Sequence, residues 1–372
     1  MKTLYVNAQG ATIGVRGRAL VVRKAAEPLE VVPTGSLVSL MIFGNVQVST
    51  QAIDSLLNLG IDITFLSRSG RWRGQLSGDR PKNVYNRLAQ YEVFRDHDKR
   101  LEVAKWIVEQ KMATQLDWIA RSMKTIRARE SGRCQEHGEA VAEFEDGAAT
   151  LSFRAGIDSL VDEGGTSGDD SWPPLPEARV QIQPLMVPWR DAQQDIRRIR
   201  RSVQEAGSTA GLMGLEGAAS ASYFGLWDTL LATTGMSFVR RSRRPAKNPL
   251  NALLNLGYML LLADVERELI GVGLDPAIGF LHGLSYGRAS LGLDLMEPFR
   301  APVVDRTVVR SVLLRQVRAE HFQTLAGEIR LTDEGWKTFI GEYERTIAVS
   351  RTQIRDTALS LRGWLFELAE RA

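Results

Sequence analysis

The sequence predicts an α+β protein with a small N-terminal β-rich domain, residues 1–83, and a larger all-helical C-terminal domain, residues 84–372. Two observations lead to this prediction. Short segments of alternating apolar residues fill roughly the first 80 positions, whereas an apolar period of three to four residues begins near position 84. A chain of 372 residues is also long enough to form two domains with separate cores.

The composition limits the functional classes. No run of about 18 uninterrupted apolar residues occurs, and the start MKTLYVNAQG becomes polar too early for a signal peptide, so we expect a cytoplasmic protein without a membrane partner. The single cysteine, Cys134, excludes intramolecular disulfides and cysteine-based zinc clusters. Residues 136–170 hold ten Asp or Glu against one Arg, within a chain of formal charge +3. The remaining chain is therefore basic enough for a polyanionic partner.

The N-terminal domain is predicted to contain short strands joined by turns. Alternating and β-branched residues indicate strands, and NAQG, VRGR and SRSG are turn signals, in the segments TLYVNAQG, ATIGVRGRALVVRK, LEVVPTG, LVSLMIFGNVQVS and IDITFLSRSGRWRGQL. One helix interrupts these strands at STQAIDSLLNLG. Ser49 or Thr50 is placed to cap its start, and Gly60 is placed to end it.

The C-terminal domain is predicted to begin with a long amphipathic helix. Its apolar residues recur every three or four positions, at Leu101, Ala104, Ile107, Val108, Met112, Leu116, Ile119, Met123 and Ile126. Between about 130 and 185 the periodicity gives way to Gly, Ser, Glu and Asp, which predicts an acidic, at least partly disordered insert. Helical patterns resume at WRDAQQDIRRIRRSVQEAG, and Thr332 is placed to cap a helix in the C-terminal segment.

The segment GFLHGLSYGRASLGLDLMEPFR carries the first candidate site. Asp294 and Glu297 are three residues apart, so on a helix they share one face, among apolar neighbours. Buried carboxylates are costly unless they are paired, hydrogen-bonded or bound to a metal. The alternative is a pair of solvated charges on an amphipathic helix, and His282 is equally compatible with an ordinary core histidine.

A third carboxylate, Glu216, lies among small and apolar residues in LMGLEGAASASYFGLW. Taken alone, it is better explained as a surface residue on a helix rich in Ala and Gly. One neutral imidazole with two or three carboxylates, however, suits Mg²⁺ or Mn²⁺, with water in the remaining positions. Such a metal centre acts well on phosphates.

A basic stretch lies in sequence between Glu216 and His282. Its cations suit phosphate binding beside a metal, although a solvated loop is the usual explanation of such a run; they are Arg240, Arg241, Arg243, Arg244 and Lys247. A second run, Arg197, Arg198, Arg200 and Arg201, is consistent with the same partner. We add Arg288 to the candidate nucleic-acid-binding residues. Aromatic residues such as Tyr223, Phe224 and Trp227 are better explained as core.

Four motifs in a fixed order resemble the CRISPR-associated spacer-integration nuclease (Cas one) family. They are GLMGLEGAASASYF, RRSRRPAKNPLNALLNLGYMLL, GFLHGLSYGRASLGLDLMEPFR and LTDEGWKTFIGEYE. The resemblance covers nearly the whole chain. The region 130–185 departs from it, because this region is longer and more acidic than the family's pattern.

The resemblance implies a metal-dependent DNA endonuclease and integrase that inserts prespacer DNA into a CRISPR array. It implies Mg²⁺ or Mn²⁺ bound by Glu216, His282 and Glu297, with Asp294 as a supporting carboxylate acting through water or by orienting a ligand. It further implies a homodimer that binds double-stranded DNA and joins a dimer of the small Cas two partner. A general metal-dependent nuclease and a non-catalytic DNA-binding scaffold are the alternatives.

Overall fold

The computed structural model describes residues 2–25, 27–68, 70–78, 83–130, 183–231, 234–238, 240–242, 245–325 and 327–371. The chain forms two compact units. The first contains Met1–Val84 together with Glu266–Gly273, and the second contains Tyr85–Val265 and Leu274–Ala372. The first is rich in strands and the second in helices, which confirms the predicted α+β class.

The first unit contains two sheets. Its strands are β1 (Lys2–Val6), β2 (Thr12–Arg16), β3 (Ala19–Lys24), β4 (Glu27–Pro33), β5 (Leu37–Phe43), β6 (Gln47–Val48), β7 (Asp62–Leu66) and β8 (Trp72–Leu76). One sheet has the order β1-β5-β7-β8, and the other has the order β4-β3-β2-β6. Strands β1, β5 and β7 are parallel, with Leu4 opposite Leu40 and Leu40 opposite Ile63. All five predicted strand segments are confirmed.

The helix α1 (Thr50–Asn58) connects β6 to β7, as the sequence predicted. The Ser49 hydroxyl accepts a hydrogen bond from the Ala52 N–H at 3.2 Å, which caps the helix. The chain turns out of the helix through Gly60, whose φ of +69° lies in the left-handed region that glycine enters without strain. Ala52 and Leu56 pack into an apolar core shared with residues of both sheets.

The second unit is built mainly from helices. They are α2 (Tyr85–Arg95), α3 (His97–Glu130), α4 (Gln183–Arg201), α5 (Thr209–Leu231), α6 (Pro249–Gly271), α7 (Ser290–Phe299), α8 (Arg306–Leu313) and α9 (Asp333–Glu370). The last residues of α6 belong to the first unit. Thr332 caps α9 by accepting from the Gly335 N–H at 3.2 Å, as predicted. Within the described residues, no helix is both long and apolar enough to cross a membrane.

The second unit departs from the sequence-based description at one hairpin. Strands β9 (Phe322–Leu325) and β10 (Glu328–Leu331) pair in antiparallel fashion within a region that we expected to be wholly helical. Each strand has four residues, and none of these residues is buried, so the alternation that reveals a half-buried strand is missing. The predicted acidic insert falls largely outside the described residues.

Candidate active site

The buried carboxylate of Asp294 organises the loop that carries His282. Asp294 lies on α7 with no exposed surface. It accepts hydrogen bonds from the backbone N–H groups of Phe280, Leu281 and His282 at 2.6, 3.0 and 2.9 Å. A fourth contact, of 2.6 Å, joins it to Nδ1 of the His282 ring. Because an ionised carboxylate only accepts, Nδ1 donates, and Nε2 of a neutral ring keeps its lone pair for another partner.

Two other carboxylates meet at one ammonium group. Lys111 Nζ forms an ion pair with Oε1 of Glu216 and another, of 2.6 Å, with Oε2 of Glu297. Glu216 lies on α5 and Glu297 on α7, so three helices supply this cluster. The Ser220 hydroxyl, one turn after Glu216, donates to Glu216 Oε1 at 2.8 Å. The alternative of a solvated Asp294–Glu297 pair is excluded, because both side chains are buried.

Lys111 is a site residue that we did not identify from the sequence. It lies on the face of α3 that also contains the buried residues Ala104, Val108 and Gln115. A lysine on a buried helix face needs a negative partner, because an unpaired charge is costly to bury. A lysine among the apolar positions of this helix face is the sequence signal that could have identified Lys111 as a site residue.

The electrostatic environment keeps Glu297 ionised. Burial alone would raise the pKa of Glu297, but the positive charges of Arg300 and Lys111 outweigh it and lower the pKa to about 2. Arg300 follows one turn later, with Nε 3.1 Å from Glu297 Oε2. A protonated His282 would lower the same pKa further, since its charge acts in the same direction. A buried carboxylate with this pKa is an anion at physiological pH and is available to a cation.

The cluster borders a cavity of about 650 Å³. Its wall includes Lys111, Gln115, Glu216 and Glu297, together with basic and aromatic side chains, among them Phe224, Phe238, Arg240, Arg241, Tyr258 and Arg300. The predicted core role of Tyr223 and Trp227 is confirmed, because both are fully buried, whereas Phe224 also faces the cavity. The cavity wall therefore combines cationic, anionic and aromatic side chains.

Another acidic residue in the cavity wall is Asp305. Asp305 ends a π-helical turn, Arg300–Asp305, that follows α7 and its internal Pro298. It accepts a hydrogen bond from the Tyr258 hydroxyl. Burial raises the pKa of Asp305 to about 6, although this hydrogen bond acts in the opposite direction. The guanidinium of Arg300 lies over the Tyr258 ring, 4.6 Å from its centroid, so Tyr258 contacts both Asp305 and the arginine that pairs with Glu297.

The predicted nucleic-acid-binding residues divide into two groups. Arg240 and Lys247 are exposed, and Arg240 faces the cavity. Arg241 donates to the side chains of Asn251 and Asn255 at 2.9 and 2.8 Å, so it connects its own segment to α6. Arg288 likewise donates to the backbone carbonyl of Gly283. Arg243 and Arg244 lie outside the described residues.

The donor set fits a divalent cation, although it does not form a complete ligand cluster. Among the residues that the structure describes, no three acidic, His or Cys side chains converge on one metal position. Two carboxylate oxygens do converge on one cation, the Lys111 ammonium. Glu297 Oε2 is fully buried, and the charges of Lys111 and Arg300 compensate it. Carboxylate oxygens are ligands that Mg²⁺ and Mn²⁺ accept.

Comparison with known proteins gives a consistent result. Residues 4–168 and 185–345 match the family described as CRISPR associated protein Cas1. The chain is 30% identical over 347 residues to "CRISPR-associated endonuclease Cas1 2" of Rhodospirillum rubrum, covering 92% of this chain and 86% of the relative.

Two solved structures share the fold. One, titled "Casposase bound to integration product", has a TM-score of 0.69 and 21% identity, and covers 98% of this chain and 91% of the other. The other, titled "Cas6-RT-Cas1--Cas2 complex", also has a TM-score of 0.69, with 20% identity; the match covers 98% of this chain and 35% of that longer one. The match to the family and the similarity to its curated relative lead to one conclusion: this chain belongs to the CRISPR-associated Cas1 family.

Proposed function

We propose that this protein is a metal-dependent DNA endonuclease and integrase that inserts prespacer DNA into a CRISPR array. The observation that carries the proposal is the meeting of Glu216 and Glu297 at one cationic position, beside a cavity that arginine side chains also line. These residues are distant in sequence and come from two of the motifs by which the family was recognised. The curated relative named an endonuclease, and the casposase structure with an integration product, support the same activity.

The reaction is a transesterification at a phosphodiester of the CRISPR repeat. The terminal 3′-hydroxyl of the prespacer loses its proton as its oxygen forms a new bond to phosphorus, and the repeat's own 3′-oxygen leaves and takes up a proton. One phosphodiester replaces another, so no covalent enzyme intermediate is required. Hydrolysis follows the same course with water as the nucleophile.

Glu216, Glu297 and His282 would hold Mg²⁺ or Mn²⁺, whose charge stabilises the negative charge that develops on the phosphate. Asp294 orients His282 by accepting from Nδ1, as outer carboxylates commonly do for metal-binding histidines. Arg300 keeps Glu297 ionised and in place. The exposed cations Arg240 and Lys247 bind DNA phosphates and position the strand, without reading its sequence.

The partners follow from family membership. We propose that two copies of the chain form a homodimer, and that such dimers assemble with the small Cas2 protein on double-stranded DNA. The related structure titled "Cas6-RT-Cas1--Cas2 complex" supports Cas2 as a partner. The site described above lies wholly within the helical unit.

A strand-transfer assay tests this function. Purified protein, its Cas2 partner, Mn²⁺, labelled prespacer and a repeat-bearing plasmid should give a covalent prespacer–repeat product. Glu216→Gln, Glu297→Gln and His282→Ala should each lower the rate at least 100-fold, because each removes one metal ligand. Glu205→Gln, a change of an exposed glutamate shortly before α5, is the matched control and should retain the wild-type rate.

The same assay separates the alternatives. Cleaved plasmid without a joined product would identify a hydrolytic nuclease and refute integration. Wild-type rates in all three ligand variants would leave only a DNA-binding scaffold.

A further inference from the structure

Lys111 occupies the position between the two carboxylates to which the proposed function assigns the metal. Its Nζ contacts Glu216 Oε1 and lies 2.6 Å from Glu297 Oε2, and only 7% of the residue is exposed. An ammonium and a divalent ion cannot share the same two oxygens at these separations, because their charges repel and their volumes overlap. One cation must therefore leave when the other binds.

The carboxylates need a cation whether or not a metal is bound. Two anions held this close, with one of them 4% exposed, repel each other strongly unless a positive charge lies between them. Lysine suits this purpose, because its ammonium is a compact charge on a flexible four-carbon stem. An arginine guanidinium at the same position would be displaced less readily, since it binds a carboxylate through two hydrogen bonds.

The structure also offers Lys111 another place to bind. Gln115 is one turn further along the same face of α3, and its Oε1 atom is buried without a hydrogen bond from any described residue. Asp305 borders the same cavity, and the positive charge of Lys111 already lowers its pKa, although burial raises that pKa overall. An acceptor and a carboxylate are thus within the same cavity as the displaced ammonium.

We propose that Lys111 is a built-in exchangeable cation: it holds Glu216 and Glu297 together in the metal-free protein and gives up its position to the divalent ion. This inference rests on the proposed metal-dependent function. It makes Lys111 a positioning residue, which tunes the metal concentration at which the site becomes active. Since the metal must displace Lys111, the wild-type site binds metal more weakly than the same carboxylates without the lysine.

Calorimetric titration of Mn²⁺ into the full chain tests the exchange. Lys111→Met should bind Mn²⁺ at least tenfold more tightly than the wild type, because the competing cation is gone. Lys105→Met, on the same helix, is the control, since Lys105 donates to the Gln204 carbonyl and should leave the affinity unchanged. An equal or weaker affinity in Lys111→Met would overturn the exchange, while Mn²⁺ binding that Glu297→Gln weakens would leave the proposed function intact.

A second measurement uses the wild-type chain, so it does not depend on the folding of a variant. Acetylation of Lys111 by acetic anhydride, quantified by mass spectrometry, should rise at least threefold in saturating Mn²⁺, because the ammonium leaves its ion pairs. Lys105 in the same sample reports on the reagent and should not change. Equal Lys111 acetylation with and without Mn²⁺ would refute the exchange. A chain that binds no Mn²⁺, as wild type or as Lys111→Met, would contradict both this inference and the metal-dependent function.

Discussion

At the scale of single residues, Asp294 supports more of the site than any of its neighbours on α7. Its carboxylate satisfies three consecutive backbone N–H groups and one imidazole nitrogen, with no exposed surface. Buried backbone donors rarely lack a partner in folded proteins, because each unmet group costs free energy. The position of His282 therefore depends on this one side chain.

Asp294→Ala should lower the free energy of unfolding by about 3–5 kcal/mol, since it leaves the backbone donors and the histidine without their acceptor. Urea denaturation measures the change. Asp117→Ala is the control, because Asp117 is half exposed and pairs with Arg121 on one helix, a contact worth roughly 0.5 kcal/mol. If the two variants lost similar stability, the role assigned to Asp294 would be wrong.

Glu266 makes the free energy of unfolding depend on pH. Burial raises the pKa of Glu266 from 4.5 to about 7, and no described residue forms an ion pair with it. A raised pKa means that the folded chain favours the protonated form. The stability from this preference is fully present below the unfolded pKa, near 4.5, and is lost as the pH rises through about 7.

Glu266→Gln should therefore match the wild type near pH 4 and exceed its stability at pH 8 by roughly 3 kcal/mol, because glutamine has no charge to bury. Unfolding free energies measured from pH 4 to 8 give both values. Glu92→Gln, at an exposed position of α2, should not alter the wild-type profile. An unchanged profile in Glu266→Gln would show that Glu266 is not the titrating group.

At the scale of elements, the approach of the GFLHG loop to α7 depends on one glycine. A Cβ atom at Gly279 would lie 2.6 Å from the backbone carbon of Ser290 and 2.8 Å from Asp294 Oδ2. Neither neighbour is free to move, because the first belongs to the helix and the second is held by hydrogen bonds. A Cβ atom placed at Gly283, four residues later, would have no neighbouring atom within 4 Å.

This contrast predicts different effects of the same substitution. Gly279→Ala should cost about 1–3 kcal/mol and reduce strand transfer, because the loop must move and carry His282 with it. Gly283→Ala should stay within about 0.5 kcal/mol of the wild type. Thermal unfolding and the strand-transfer assay provide both readouts. Equal behaviour of the two variants would contradict the close packing at Gly279.

At the scale of the whole molecule, DNA affinity should depend on exposed cations rather than on every arginine in the basic stretch. Log affinity should fall linearly with log salt, by about 0.9 for each phosphate contact. Arg240→Ala combined with Lys247→Ala should flatten this slope by up to about 2, since both side chains are exposed. Fluorescence anisotropy at several salt concentrations measures it.

The matched control is the exposed pair Arg318→Ala with Lys337→Ala, which should retain the wild-type slope. Arg241→Ala should behave differently from both, because Arg241 holds Asn251 and Asn255 and its loss should lower stability. A slope unaffected by Arg240 and Lys247 would remove this stretch from the DNA-binding surface.

The sequence by itself determined the fold class, most elements and the motifs that identify the family. Period-two and period-3.6 patterns are local, so the β1–β8 segments, α1 with its Ser49 cap and α9 with its Thr332 cap could be read directly from neighbouring residues. The β9–β10 hairpin could not, because its residues are only partly buried and show no alternation. Family resemblance, rather than periodicity, selected Glu216 from the other glutamates on helices.

Only the tertiary structure decided how the candidate residues are paired. Helical spacing placed Asp294 and Glu297 on one face. In the packed structure, however, Asp294 contacts the His282 ring, whereas Glu297 forms ion pairs with Lys111 and Arg300. Lys111 and Glu216 are separated by 105 residues, so no local pattern relates them. The physical reason is that burial and charge compensation depend on which distant groups meet, whereas a sequence pattern records only which side of its own helix or strand a residue occupies.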